Sequence, residues 1–432
     1  LSAGAHAAPD AAGMPDLSLE DLLKADVVTA SRKSQAVQDV AAAVHVISRE
    51  DIEHSGATSI PEVLRVVPGL EVARLSSGRW AVSARGFNGR FANKLLVLID
   101  GRSVYSPLFS GVLWEMEGTL LEDIERIEVI RGPGAALWGA NAVNGVINVI
   151  TRKARDTHGT LVAVGAGSVE RGSAAARHDA ALDGGHYRLW AKTEDHRAFD
   201  APDGNAGNDA WHTTRAGMRS EWVLPSGDGL DVSAALARHV SDDRWNEADL
   251  LSPSGSTGVD HTQTGDAGHL LGRYHHLGGD GSETIVQAYL AQDNIRATGA
   301  FDQRRTTFDL DLQHHPRLDG AHDVVWGVTH RRSRDKIGFS GILNITPPRR
   351  TFALSSVFVN DEITLLPEHL HATLGARLEH NSFTGFELQP QARLAWTPSR
   401  TQTFWTSLSR AVRTPSRAEL DAQVDVLVIP GQ

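Results

Sequence analysis

From Gly159 to about residue 410 the chain repeats one pattern, segments of about 10 to 14 residues in which apolar side chains occupy alternate positions. In 186–194, Tyr187, Leu189 and Ala191 share one face, while Arg188, Lys192 and Glu194 share the other. Leu230, Val232, Ala234 and Leu236 oppose Asp231, Ser233 and His239. Phe308, Leu310 and Leu312 oppose Asp309, Asp311 and Gln313, and Val286, Ala288 and Leu290 stand together. A period of two belongs to a strand, whose successive side chains point to opposite sides, so each segment has one apolar and one polar face. About 13 such segments can be counted, of which 375–381 is only weakly patterned.

The connections narrow the architecture. Tight turns at 183–186, 225–229, 278–282, 317–322, 367–369 and 398–400 alternate for much of the way with long polar loops at about 198–210, 241–263, 294–304 and 334–350. An antiparallel meander with short turns on one side and long loops on the other is the arrangement of outer-membrane barrels. Soluble sandwiches alternate their faces too, but nothing in them sorts loops by length. The segments also suit a tilted membrane strand of about 9 to 11 residues better than a globular strand of about 5 to 6.

Composition is consistent with this and removes several alternatives. The chain has 432 residues, beyond the size of a single usual core, and its 41 glycines with 6% aromatic residues favour turn-rich β-structure. Net charge is −11 without a long basic run, so the electrostatic footprint of a nucleic-acid binder is absent. With no cysteine there are no disulfides or thiolate metal sites. No run approaches the roughly 18 apolar residues of a membrane helix, a test that does not apply to barrels. Ala5-His6-Ala7, in an alanine-rich start, has the form of a signal-peptidase site, and an ordinary mobile terminus is the alternative.

Residues up to Lys153 have a mixed α+β texture. Val44 to Ser48 alternates as a strand, and Ser48 with Asp51 marks a helix start that Gly56 stops. Thr58 or Ser59 caps a second helix, with Pro61 in its first turn and Pro68-Gly69 as its stop. Leu95 to Tyr105 is a buried strand meeting an Asp100-Gly101 hairpin turn. The run 124–153, IERIEVIRGPGAALWGANAVNGVINVITRK, reads as a strand, a turn forced by Gly132-Pro133-Gly134, an elbow of small residues around Trp138, and a second strand.

These motifs resemble the plug domain of TonB-dependent outer-membrane receptors. The resemblance rests on Ile127 to Pro133, Leu137-Trp138-Gly139, Ala142 and Gly145 to Thr151, supported by 61–72, 84–90 and 95–105, and the later strands resemble the first part of the family's barrel. Gly134-Ala135, Trp138 and Asn144-Gly145 depart from the usual family residues. The resemblance implies an α+β plug domain followed by an antiparallel transmembrane β-barrel, with about 13 of the family's 22 strands present and the rest truncated. It divides the chain into a flexible 1–34 with signal-peptide remnant, a plug at 35–155 and a partial barrel at 156–432. It implies a monomer in the Gram-negative outer membrane, in contact with its lipid, taking up a scarce large solute, a ferric siderophore or else cobalamin or haem.

Asp26, Val27, Val28, Thr29 and Ala30 resemble the TonB box, which the periplasmic energy-coupling protein TonB captures by strand addition; a first plug strand or linker is the plain alternative. Arg85 and Arg131 sit where family members pair plug arginines with wall glutamates, and Gly132, Pro133, Gly139 and Gly145 belong to the plug signature. Fewer than 30 residues precede the box, leaving no room within this sequence for a signalling domain.

No enzyme is expected, because no nucleophile elbow, His-Glu-x-x-His or phosphate loop is present, and no cofactor is implied. His275-His276 and His314-His315 point to opposite faces of a strand and cannot chelate one ion; His369 and His371 could share a face, yet no metal site is expected. Trp190, Trp211, Trp222, Trp245, Trp326, Trp396 and Trp405 are read as membrane-interface anchors. The rival function is a soluble secreted β-rich glycan-binding protein, which requires polar residues on both faces of 159–410.

Overall fold

The computed structural model describes residues 26–37, 40–200, 204, 207–248, 252, 255–298, 300–339, 343–399 and 402–424. The signal-peptide remnant and most of 1–34 lie outside them.

The N-terminal domain is built on a five-stranded sheet. Its order is Val44–Ser48, Ile124–Arg131, Gly145–Thr151, Leu95–Ile99 and Arg102–Ser103, with one parallel pairing between the third and fourth strands. Leu95–Ile99 is an unbroken apolar run because both of its faces are covered. On one side Val97, Ile127, Val129, Ile147 and Val149 pack against Ile52, Ile60, Val63 and Leu64 from the helical segments. On the other, Leu96, Leu98, Ile130 and Val146 pack against Val27, Ala30 and Val40 from the start of the chain.

Local signals place these elements. Ser48 and Asp51 form a reciprocal capping box on Arg49–His54, and Ser59 is the N-cap of Ile60–Val63 with Pro61 in its first turn. Asp100 and Gly101 both have positive φ, as a two-residue hairpin turn demands. In the elbow, Gly132 (φ 141°) and Gly139 (φ 84°) adopt backbone that a side chain disfavours. Gly145 is required for space, since a Cβ there would lie 2.5 Å from the Ile130 carbonyl oxygen.

After Thr151 a short helical turn, Ala154–Asp156, leads to the first strand of a 13-stranded sheet. Every neighbour pair is antiparallel and adjacent in order, from Gly159–Gly165 at one edge to Gln402–Ser409 at the other. Three of the long loops expected from polarity, 241–263, 294–304 and 334–350, are mostly strand. In the first of them Gly229–Ala248 and Ser256–Leu277 stay paired as far as Ala248 and Ser256, because ladder hydrogen bonds persist where both faces are polar and alternation can no longer reveal them.

The sheet is inside out relative to a soluble protein. Phe308 and Leu236 are exposed, whereas Asp309, Gln313 and His239, on the opposite faces of the same strands, are buried on the inner side of the sheet. The weakly patterned 375–381 follows the same rule, with Arg377, Glu379 and Asn381 buried inward and Leu378 outward. Val286, Leu312, Val328, Val357, Leu378 and Leu388 are successive register partners on the outer face and form an uncharged row across six strands. A secreted soluble module would not present such a row, and among the described residues no helix is long and apolar enough to cross a membrane. Val357→Arg is therefore expected to cost about 2–4 kcal/mol of membrane insertion, read as lost recovery of folded protein from outer-membrane vesicles. Inner-face Ser356→Thr serves as the silent comparison.

The tryptophans divide between the two faces. Trp326 and Trp396 are outward and exposed, as interface anchors would be, whereas Trp405 is the register partner of buried Ala395 and lies on the inner face of the edge strand. Trp190 instead packs inward on Leu120 and Ala175, Trp211 stacks on His196 at 4.0 Å, and Trp245 stacks on Phe301. Each of these three sits at an inner-face position, where its ring fills space against the enclosed domain.

Candidate functional site

The wall meets the enclosed domain through charged side chains that have left water, so each needs a partner. The densest junction lies on Asp123, fully buried in the short turn before Ile124–Arg131. Its carboxylate accepts from Arg177 Nη1 at 2.5 Å and lies 3.3 Å from Arg188 Nε, and Arg177 also pairs with Asp179 at 2.7 Å. The hairpin turn makes the next junction. Asp100 accepts from the Thr151 amide and hydroxyl at 2.9 and 2.8 Å, Arg273 donates to its carbonyl at 2.6 Å, and the Arg219 guanidinium is 3.7 Å away. Arg215 donates to the Glu115 carbonyl and Arg377 to the Leu137 carbonyl. At these four places the wall supplies guanidinium and the enclosed domain supplies oxygen.

Burial by itself would raise the Asp100 carboxyl, but the Arg219 guanidinium and the two Thr151 donors outweigh it and hold the group below the usual carboxylate range. A depressed value contributes stability that is complete above the unfolded pKa of about 3.9 and is lost as pH falls through the folded value. Below about pH 4 the melting midpoint should therefore drop more steeply for the native chain than for Asp100→Asn.

Arg85 and Arg131 do not reach the wall. Arg85 is exposed and donates from Nη2 to the Arg131 carbonyl at 2.8 Å, and Arg131 donates from Nη1 to the Pro68 carbonyl at 2.7 Å. Neither meets a wall carboxylate among the described residues, because the 13 strands cover other flanks of the domain. The elbow does touch the wall. Ala140 donates its N–H to Glu379 Oε2 at 3.2 Å, and a Cβ on Gly139 would lie 2.9 Å from that same oxygen.

The segment Asp26 to Ala30 is enclosed. Asp26–Val27 pairs with Gln35–Ala36, and Val27, Thr29 and Ala30 are buried. Just beyond it, Arg32 binds Asp311 at 2.9 Å and lies over the rings of Trp138 and Phe358, while Lys33 pairs with Asp323 at 2.6 Å and Glu362 at 3.1 Å. These wall carboxylates stand near the short-turn ends of their strands.

At the long-loop end, Arg79 pairs with Asp243, and the Ser77 amide donates to Asp209 at 2.6 Å. Phe91 stacks on Phe109, which meets Phe301 of the wall edge-on. Residues after Ser409 fold back over the domain. Val412 accepts from the Asn141 amide, the Arg417 and Ala418 amides donate to Pro107 and Leu108, and the buried Arg417 side chain binds Asp421 at 2.5 Å and Asp335 at 3.3 Å. Beneath this strap, between domain and wall, lies a cavity of about 370 Å³ whose lining includes Tyr105, Asn141, Tyr289, Asp293, Arg305 and Thr414.

Residues 36–146 match the family described as TonB-dependent Receptor Plug Domain, and 167–429 match TonB dependent receptor-like, beta-barrel. The chain belongs to the TonB-dependent receptor family. Among curated relatives, this receptor is 39% identical over 185 residues to the vitamin B12 transporter BtuB of Vibrio vulnificus, 42% of the receptor chain and 29% of the relative. It is 35% identical over 144 residues to that of Vibrio cholerae, 33% of the chain and 23% of the relative. The receptor chain thus spans less than a third of the length of the curated relatives it matches. In fold it is similar to the siderophore receptor PirA from Acinetobacter baumannii, with TM-score 0.70 and 17% identity over 86% of this chain and 61% of the other. The ferripyoverdine receptor of the Pseudomonas aeruginosa outer membrane gives TM-score 0.70 and 15% identity over 89% and 59%.

The paired histidines of the receptor engage separate partners, His275 with Glu283 and His276 with Asp228, and His315 with Asp323. Sequence reasoning missed Asp123, Asp100 and the inner arginines as the plug–wall junction. The available signal was that Arg188, Arg219 and Arg377 fall on polar faces that a barrel must turn inward, where each guanidinium needs an oxygen opposite.

Proposed function

We propose that this receptor takes part in energised uptake of a scarce large solute across the outer membrane, with TonB pulling on the segment Asp26 to Ala30. The observation that carries this reading is a lipid-facing wall with its polar face turned onto a plug, joined to an N-terminal segment tethered near the short-turn end. The cargo is a metal-bearing chelate, a ferric siderophore by the general fold. A cobalamin is the second reading, favoured by the 39% identity to a vitamin B12 transporter. The strap over the cavity and the Phe91–Phe109–Phe301 contact, both at the long-loop end, support a ligand mouth there. Arg85 and Arg131 are proposed to meet acidic wall residues on a flank that these strands do not cover.

The test is growth of a host lacking its own receptors, complemented with the full-length gene, on limiting cobalamin and on limiting iron with defined siderophores. Rescue that disappears when Val27 is replaced by proline supports the reading, because proline cannot donate to an added strand. Rescue on no cargo, with the protein present in the outer membrane, overturns it.

A further inference from the structure

The signature run 124–153 contains two residues that its apolar strands do not explain. Glu128 is fully buried on the face that also carries Ile130 and Val146, and Asn148 is its direct register partner on the neighbouring strand. A carboxylate and a carboxamide side by side on a covered face must be satisfied by something specific.

Glu128 is satisfied by the backbone of the N-terminal segment, and the Asn148 amide group by a side chain of the same segment. Glu128 Oε2 accepts the amides of both Val28 and Thr29, at 3.0 and 2.7 Å, while Oε1 is held by Arg126 Nε at 2.7 Å. Asn148 Nδ2 donates to the Thr29 hydroxyl at 3.1 Å. The elbow completes the set, since Trp138 Nε1 donates to the Thr29 carbonyl at 2.7 Å. On the other side of the segment, Asp26 and Val27 are paired with Ala36 and Gln35.

A protein that captures a strand by addition needs free main-chain donors and acceptors along one edge. Here the Val28 amide and both main-chain groups of Thr29 are already bound by side chains, and the preceding residues are in a hairpin. We propose that Glu128 and Trp138, with Asn148 anchoring the Thr29 hydroxyl, form a socket that competes with the energy-coupling protein for the same backbone groups of Val28 and Thr29. Seating and capture are then mutually exclusive, and the strength of the socket sets the fraction of receptors that can be pulled. The proposal rests on the reading of Asp26 to Ala30 as the coupling segment. Glu128 is a positioning residue in this scheme, acting on the peptide and not on cargo.

These 432 residues contain no cysteine, so a thiol reporter placed in them is read directly once any cysteine elsewhere in the full-length receptor is replaced by serine. In the full-length receptor in outer membranes, Ala30→Cys reports the segment, Ser83→Cys in the buried strand Trp80–Ala84 reports plug integrity, and a maleimide is the probe. Glu128→Ala should speed labelling at position 30 by about tenfold or more, as expected for loss of two charge-assisted bonds. Trp138→Phe, which removes a single donor, should give a smaller rise, and Glu128→Gln, which keeps an oxygen for both amides, should return labelling toward native. Affinity for the purified periplasmic domain of the coupling protein should rise in the same order, with position 83 protected throughout. Unchanged labelling at position 30 in all three variants overturns the socket. Should Glu128→Ala also expose position 83, the decision passes to Trp138→Phe, and unchanged labelling there overturns it. Faster labelling without tighter binding of the partner leaves the socket standing and refutes the coupling role of Asp26 to Ala30.

Discussion

Replacing Asp123 with alanine is expected to loosen the receptor more than any other single change at the plug–wall junction. The carboxylate is fully buried and stands between Arg177 and Arg188, both of them buried as well. Arg177 retains Asp179 in the mutant, but among the described residues Arg188 keeps as its hydrogen-bond partner only the Arg152 carbonyl at 3.1 Å. Removing one partner from a buried ionic group leaves a desolvated charge behind, which costs about 3–5 kcal/mol. The expected result is a large drop in the detergent melting midpoint together with protease sensitivity of the linker at Lys153. Asp123→Asn should fall between the two, since an amide oxygen still accepts from Arg177. Equal melting of the native chain and Asp123→Ala would show that the junction contributes nothing.

Gly145→Val is the second large effect, and it acts through a different cause. Its Cβ would sit 2.5 Å from the Ile130 carbonyl and 3.2 Å from Leu95 Cδ1, so neighbours on two adjacent strands would have to move. The strand Gly145–Thr151 pairs with both Ile124–Arg131 and Leu95–Ile99, so this displacement opens the centre of the plug sheet. A loss above about 4 kcal/mol is expected, in the range reserved for such steric failures. The check is thiol accessibility at Ser83→Cys in the Gly145→Val background, which should become complete while the barrel strands still reach the membrane fraction.

Much of this molecule is legible in the residues, and the reason differs from part to part. Alternation exposes the wall because each strand separates two solvents, and Asp231 and Leu230 cannot exchange faces without cost. The capping box at Ser48 and the turn at Asp100-Gly101 are visible because both are contacts within a few residues. Pairing between distant charges is not. Arg85 and Arg131 look alike in their motifs, yet each bonds to a carbonyl of its own domain, and nothing local tells that apart from a wall contact. Likewise Glu128 reads as one more charge in a mixed strand until Asn148 is placed opposite it. Trp190, Trp211 and Trp245 mislead for the complementary reason, since an aromatic on a polar face is ambiguous between filling an interior and anchoring at a headgroup.

The ties between plug and wall are unevenly distributed, and that sets where a mechanical load is felt. A tug applied at Asp26 meets Glu128, Arg32–Asp311 and Lys33 with its two carboxylates first, all near one end of the domain. Asp123 and Asp100, bound by four wall arginines, stand at the same short-turn end but on earlier strands of the wall, from Glu170–Leu182 to Ser256–Leu277, whereas Arg32 and Lys33 are held by Phe301–His315, His322–Phe339 and Arg349–Leu366. Wholesale ejection of the domain would strand those guanidiniums in a dry lumen. Unzipping along the side held by Arg32 and Lys33 spares them, so the fold favours peeling a margin open over drawing the stopper from the bottle.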